Sequence, residues 1–332
     1  NTLEPKQAAF IAGNWVQADS GERIPVFDPG NGTLVGWIPD CGADETERAI
    51  SAAREAQSGW ASLTAHRRGK ILLRLVSSIA RHEDALARIC TLENGKPLAE
   101  SIGEIRYGAS FIEWFASEGR RVYGETIPAS SGSQRLLVRK EPIGVCAAIT
   151  PWNFPVGMPL QILGPALAAG NTVVFKPSEH VPLTGQAIAE IIQACVPADV
   201  LVLVHGAGET GAELVAADID MVGFVGSRAT GKRIMESASK ELKRLVLELG
   251  GKDPLVVFAD ADLDAAAECA VRHSLRNTGQ VCCAVERVYV DKSIAPAFEA
   301  KVLEHAKSYV AGDGLETAST IGPLVSEMQR QT

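Results

Sequence analysis

"IGVCAAITPWNFPVGMPLQILGPALAAGNTVVFKPSE", Ile143 to Glu179, decides the fold. Two short apolar runs, "IGVCAAI" (143–149) and "TVVFK" (172–176), flank a helical pattern over 158–169. Runs this short, rich in small and β-branched residues and without polar alternation, are what strands buried on both faces look like. The rhythm continues in "VLVLV" (200–204), "MVGFV" (221–225), "RLVLEL" (244–249) and "PLVVF" (254–258), with helical patterns at 183–194, 208–217 and 228–241. Strand–helix alternation of this kind predicts an α/β protein with a parallel sheet and helices on both faces. In such sheets ligands gather beyond the carboxyl ends of the strands.

The first third reads differently. After a β-like start at "IPVFDPGNGTLVGWIP" (24–39), three helical stretches follow at 44–57, 68–96 and 104–124. Asp44 stands where an N-cap belongs, with Glu47 in capping-box position. "QRLLVRKEPIGV" (134–145) reads as an extended segment with no helix beside it, either a hairpin arm reaching another subunit or an ordinary edge hairpin. A change of domain is expected at Gly250-Gly251, where a strand ends in a glycine pair.

Composition bounds the function. The 332 residues carry a net charge of −8, which argues against nucleic acid or an anionic membrane as partner. No run approaches the ~18 apolar residues of a membrane span, and the start has no secretory pattern. The seven cysteines include no Cys-x-x-Cys pair and the six histidines are scattered, so zinc-ligand spacing is absent. Free thiols in a reducing, cytoplasmic setting are the simplest expectation.

Each strand end carries a candidate. "TPWNFP" (150–155) stiffens a polar loop with two prolines around Asn153, whose amide could serve as an oxyanion donor or simply satisfy local backbone. "KPSE" puts Lys176 and Glu179 where they could grip a ribose diol. "GSRATG" (226–231) opens a helix whose N-terminal amides suit a pyrophosphate, with Ser227 also a natural N-cap. Glu248, in "ELGGKDP", is placed for general-base work or for pairing with Lys252 or Lys243. In "NTGQVCCAVER" (277–287), Cys282 and Cys283 are adjacent. A disulfide between neighbours requires strained geometry, so one buried and one reactive thiol is expected, on opposite sides if the segment is extended. Spacing does not say which is reactive.

Taken in order, "PWNFP", "KPSE", "GFVGS", "LELGGKDP" and "GQVC" resemble the aldehyde dehydrogenase superfamily, and "TLENGKPLAE" (91–100), "FIEWFASEGRRVYGETIP" (111–128) and "GDGLE…IGPLVSE" (312–327) extend the resemblance over nearly the whole chain. The resemblance implies a variant Rossmann cofactor domain at 1–122 and 142–250. It also implies a β-hairpin oligomerisation arm at 123–141 and a second α/β catalytic domain beginning at 251, truncated here. The rest of that domain, with a second ribose-contacting glutamate, is expected beyond residue 332.

By the same resemblance, Cys282 is the nucleophile, Glu248 the general base and Asn153 the oxyanion amide. Cys283 is expected to pack behind Cys282. The cofactor would be held by Lys176 and Glu179 at the adenosine ribose, Gly226 and Ser227 at the pyrophosphate, Gly208 and Gly211 on the adenine side, and Ile149, Thr150, Trp152 and Leu249. A carboxylate at position 179 accepts from a ribose 2′-OH and repels a 2′-phosphate, which predicts NAD over NADP. Residues 103–128 are most similar to succinate-semialdehyde dehydrogenases, which implies a semialdehyde substrate bound by Arg276 and, where an arginine would be expected, Gln161. A lactaldehyde or general aliphatic aldehyde enzyme, and a silent nucleotide- or partner-binding fragment, stay open alternatives. Glu248 argues against a CoA-acylating relative. The small aldehyde is the expected partner, and a homodimer or homotetramer the expected assembly.

Overall fold

The computed structural model describes residues 3–331. Its centre is a seven-stranded sheet. Five strands come from the alternating stretch: β7 (Val145–Ile149), β8 (Thr172–Lys176), β9 (Leu201–Leu203), β10 (Met221–Gly226) and β11 (Arg244–Leu249). Two come from the N-terminus, β1 (Ala9–Ile11) and β2 (Asn14–Val16). The strand order is β11-β10-β7-β8-β9-β1-β2. The five central strands are parallel, with Val145 facing Thr172 and Val222 facing Ala147. β1 and β2 are antiparallel, so the sheet is mixed at that edge. Strands of three residues carry too little pattern to announce themselves in sequence.

Alternate residues of one strand feed two different cores, as a period of two requires. Cys146, Ala148, Val173 and Phe175 pack with α2 (Ala65–Arg81), α3 (Glu83–Asn94), α4 (Leu98–Glu118), α5 (Gly157–Ala169) and α6 (Pro182–Gln193). Val145, Ala147, Val174 and Val202 pack with α1 (Ala43–Ala61), α7 (Gly208–Ala216) and α8 (Arg228–Ala238). Trp60 ties α1 to α5 by donating its indole N–H to Leu167 O at 3.0 Å. The cap of α1 is Gly42 rather than Asp44: its N–H donates to Glu45 Oε2 at 2.9 Å, and Asp44 lies inside the first turn. The cap falls two residues earlier than the acidic pattern suggested, because glycine is tolerated there when a carboxylate in the first turn reaches back.

After β7 the chain runs to β8 and β9 on one side, then returns to place β10 on the other. The crevice between the carboxyl ends of β7 and β10 is therefore the switch point of the sheet. β3 (Arg23–Phe27) and β4 (Leu34–Pro39) form a separate antiparallel hairpin, as do β5 (Glu125–Ile127) and β6 (Leu136–Val138), all six of whose residues are exposed. Beyond Gly251 a small unit has its own core of Val257, Ala267, Ala270 and Phe298. It holds β12 (Asp253–Val257) parallel to β13 (Val285–Val290), with α9 (Leu263–Leu275) crossing between them and α10 (Ala295–Ala306) packed on α9. A short α11 (Glu327–Gln331) follows. Among the described residues no helix is long and apolar enough to cross a membrane.

Candidate active site

Three loops meet at the carboxyl ends of the strands, and the α3–α4 corner holds them from behind. Its sequence, "LENGKP", stops α3 at Gly95 in the left-handed region (φ +88°) and starts α4 after Pro97. Asn94 Nδ2 donates to Trp152 O at 2.8 Å, and Lys96 Nζ donates to Asn153 O at 2.6 Å. Glu104, one and a half turns into α4, accepts from the backbone N–H groups of Val156 and Gly157 at 2.7 and 2.9 Å. The loop after β7 is thus fixed along its back. Its front presents the Asn153 side chain, whose Nδ2 donates to Gln280 O at 3.0 Å while Oδ1 is buried and has no partner among the described residues. One hydrogen of that amide is used, leaving one for a ligand.

The loop carrying the cysteines is held in an uncommon backbone shape. α9 gives way to a tight turn in which Asn277, Thr278 and Gly279 have φ of 45°, 59° and 78°. Two consecutive non-glycine residues in the left-handed region are strained. The anchors that keep them there are Asn277 N to Glu100 Oε2 (3.0 Å), Asn277 Nδ2 to Asn153 O (2.9 Å) and Thr278 Oγ1 to Gly322 O (2.9 Å). Gln280 completes the brace, its Oε1 accepting from Val325 N at 3.0 Å. Residues 281–284 form a turn, not an extended segment, so the expected alternation of the two cysteines fails. Cys283 is exposed like Cys282 and does not pack behind it. Partial burial first, then the neighbouring Cys283, pushes the Cys282 thiol above its ordinary range.

Glu248 is the penultimate residue of β11, exposed and in register with Val225 of β10. Its two candidate ion-pair partners are engaged elsewhere: Lys252 with Glu286, and Lys243 with the carbonyls of Val215 and Ala217. Among the described residues no ion pair includes Glu248. Three residues on, Gly251 N donates to Cys282 O at 3.1 Å. A Cβ at Gly251 would stand 2.4 Å from Asp253 Oδ2 and 3.2 Å from that same Cys282 oxygen, which is why the strand end needs glycine there. Asn153, Cys282 and Glu248 therefore lie on segments bonded to one another at Gln280 and Cys282, Asn153 and Cys282 on loops and Glu248 at the end of a strand.

The switch-point crevice is a cavity of about 660 Å³ lined by Ile149, Thr150, Trp152, Lys176, Glu179, Gly208, Gly211, Gly226 and Ser227. Leu249 stands beside it, packed on Gly231 of α8. Lys176 is 4% exposed and its ammonium donates to Pro177 O at 3.3 Å. Burial lowers its pKa, with Glu179 opposing. Below it His205 is wholly buried, and burial together with Lys176 pushes it down to about 3, so it is neutral. α7 and α8 both open their N-termini on the cavity. Ser227 caps α8 by accepting from Thr230 N at 3.2 Å, and a Cβ at Gly208 would meet nothing within 4 Å. A buried cation, two helix N-termini and a carboxylate at one end fit a dinucleotide. Thr230, Arg233 and Ser237 of α8 and Met328 and Gln329 of α11 also line the cavity and were not anticipated. The i, i+3, i+7 spacing on α8 could have revealed the first three.

Gln161 and Arg276 do not share a cavity. Gln161 lies with Glu248 in a groove of about 310 Å³ between α5 and the sheet. Arg276 lies over the Phe154 ring, 5.0 Å from its centroid, in a separate cavity of about 540 Å³ with Glu100, Arg272 and Tyr309.

This fold and site define an α/β oxidoreductase with a dinucleotide crevice at the switch point of its sheet, a cysteine-bearing loop and an unpaired carboxylate near the strand ends. A sequence model described as "Aldehyde dehydrogenase family" matches residues 15–332, and the chain belongs to that family of NAD(P)-dependent enzymes that oxidise aldehydes. It is 48% identical over 325 residues to the succinate-semialdehyde dehydrogenase [NADP(+)] of Escherichia coli, covering 97% of this chain and 67% of that protein. It is 46% identical over 323 residues to the glutarate-semialdehyde dehydrogenase of Pseudomonas putida, covering 96% and 67%. The crystal structure of succinate-semialdehyde dehydrogenase from Burkholderia pseudomallei superposes with a TM-score of 0.96 at 44% identity, covering 98% of this chain and 68% of that one. The chain spans about two thirds of the length of these relatives.

Proposed function

We propose that this protein oxidises an aldehyde carrying a remote carboxylate, succinate semialdehyde foremost, to the carboxylic acid, with NAD as preferred dinucleotide and Cys282, Asn153 and Glu248 as its catalytic residues. The observation that carries the reading is the junction at Gln280, which ties the Asn153 amide to the loop of Cys282. Cys282, once its proton has passed to solvent, adds as thiolate to the aldehyde carbon and forms a thiohemiacetal oxyanion. The oxyanion so made takes the free Asn153 N–H and the Cys282 backbone N–H, one such donor contributing roughly 3–4 kcal/mol. Bound NAD(P)+ supplies acceptance of a hydride. The acyl group is left on Cys282 as a thioester. Glu248, unpaired and exposed at the end of β11, takes a proton from water as that water attacks the thioester, releasing the acid and the thiol.

Glu179 supports NAD, since a carboxylate beside a ribose favours a 2′-hydroxyl over a 2′-phosphate. The semialdehyde relatives support an anionic substrate; Gln161 and Arg276, which open on separate cavities, do not form one pocket for its carboxylate. The separate core beyond Gly251 supports a division into a cofactor domain (1–122 and 142–250) and a catalytic portion (251–332). The exposed hairpin, with Ile127, Leu136, Leu137 and Val138 all uncovered, supports residues 123–141 as an arm in a homodimer or homotetramer. Free cysteines fit a cytoplasmic setting.

The test is a panel of succinate semialdehyde, glutarate semialdehyde, lactaldehyde and simple alkanals with NAD and NADP. The reading requires the highest kcat/KM with a semialdehyde and NAD. Equal efficiency with neutral alkanals would remove the carboxylate from it.

A further inference from the structure

No step above uses Lys96, yet it is 1% exposed and stands at the centre of the site's support. Its ammonium lies 2.6 Å from Glu104 Oε2, 2.6 Å from the carbonyl oxygen of Asn153 and 4.4 Å from the centroid of the Phe154 ring. An ion pair between side chains 0% and 1% exposed is a poor stabilising device, because desolvation offsets most of the attraction. What the arrangement does supply is a fixed point. The Asn153 carbonyl also accepts from Asn277 Nδ2 at 2.9 Å, so both its lone pairs are engaged, one by the α3–α4 corner and one by the nucleophile loop. Glu104 turns its other oxygen to Val156 and Gly157, and Asn94 holds Trp152. The main chain from 152 to 157 is pinned on its back, and only the Asn153 side chain is presented forward, toward Gln280 and the cysteine beyond it.

We propose that Lys96 is a positioning residue of the oxyanion hole: bridging Glu104 and the Asn153 carbonyl, it aims the Asn153 amide at the Cys282 reaction centre. The inference rests on Asn153 being the oxyanion donor. Replacing Lys96 alone would strand the Glu104 carboxylate, so the informative variant is Lys96→Met combined with Glu104→Gln. It removes both charges and keeps an oxygen for the two backbone N–H groups.

Assayed in the full chain with a semialdehyde and NAD, that variant is expected to lose kcat by about 100-fold, the scale of an ångström-sized misplacement, with KM little changed. Placed in an Asn153→Ala background, the same pair of replacements is expected to change kcat by less than about twofold, since it acts through a side chain already gone. If the pair does not fold, Lys96→Arg keeps a cation beside Glu104, displaces the donor from Asn153, and takes its place in the same cycle. Full kcat in the variant, or an equal loss in both backgrounds, overturns the inference alone. An Asn153→Ala variant with unchanged kcat overturns the oxyanion assignment and this inference with it.

Discussion

Gly322→Ala would test whether the segment after α10 really braces the nucleophile loop. A Cβ at Gly322 would fall 1.9 Å from the Gly95 carbonyl oxygen and 2.8 Å from its carbon, where ordinary contact begins at 3.4 Å, so the segment must withdraw by about 1.5 Å. Gly95 holds φ +88° as the cap of α3, and its N–H donates to Thr91 O at 2.8 Å, so its carbonyl is part of the helix end and the burden of movement falls on the segment of Gly322. Withdrawal breaks the hydrogen bond from Thr278 Oγ1 to Gly322 O and loosens the bond from Leu98 N to Gly314 O, both 2.9 Å. Overpacking of this kind costs about 1–3 kcal/mol and the lost hydrogen bond about 1 more. At roughly 2–4 °C per kcal/mol for a chain of this order, the melting temperature should fall by about 5–15 °C. Because Thr278 belongs to the strained turn before Cys282, kcat should fall as well. Differential scanning calorimetry and steady-state kinetics read the two effects. A variant melting within about 2 °C of the parent, with unchanged kcat, would refute the packing of this segment on the α3–α4 corner.

Three shorter predictions follow from the site. Cys282→Ala abolishes aldehyde oxidation whereas Cys283→Ala affects it mildly, and the reverse result would show the neighbouring sulfur to be the nucleophile. Glu179→Ser lowers the preference for NAD over NADP by about tenfold or more, the Coulomb cost of one charge near a 2′-phosphate being roughly 1–4 kcal/mol; an unchanged ratio would remove Glu179 from cofactor choice. The Cys282 thiol is held above its usual range by burial and by Cys283, which favours the neutral form, so its alkylation by iodoacetamide, mapped by peptide mass, should still be climbing at pH 9. A plateau below about pH 8 would contradict that shift, the free thiol lying near 8.5.

The sheet was readable because buried parallel strands leave continuous apolar runs, and the loops at their ends carried the polar residues that such a sheet has no other use for. Asn153, Glu248 and the cysteine pair stood out as candidates for that reason, but only the family resemblance chose their roles and chose Cys282 over Cys283; the structure bonds the segments that carry them to one another. What could not be read depends on contacts between distant segments. The mixed edge escaped because β1 and β2 have three residues each. The left-handed Asn277 and Thr278 have no sequence signal, since their conformation is imposed by Glu100, Asn153 and Gly322. Met328 and Gln329 reach the cofactor cavity from about a hundred residues beyond α8. The expectation for Cys283 failed because alternation presumes an extended chain, and residues 281–284 turn. Lys96 did leave a trace: a lysine in "NGKP" between two helices whose neighbours are buried, with a glutamate two turns on, is an unusual place for a charge.

The proposed reaction passes through a covalent acyl intermediate on Cys282 that Glu248 resolves. It is tested most directly by mixing Glu248→Gln protein with a semialdehyde and NAD, following the first turnover by absorbance and the protein by intact and peptide mass. A burst of about one reduced cofactor per site, an acyl adduct on the Cys282 peptide and a lost steady-state rate are expected. Normal turnover, or a burst with no adduct on Cys282, would contradict it.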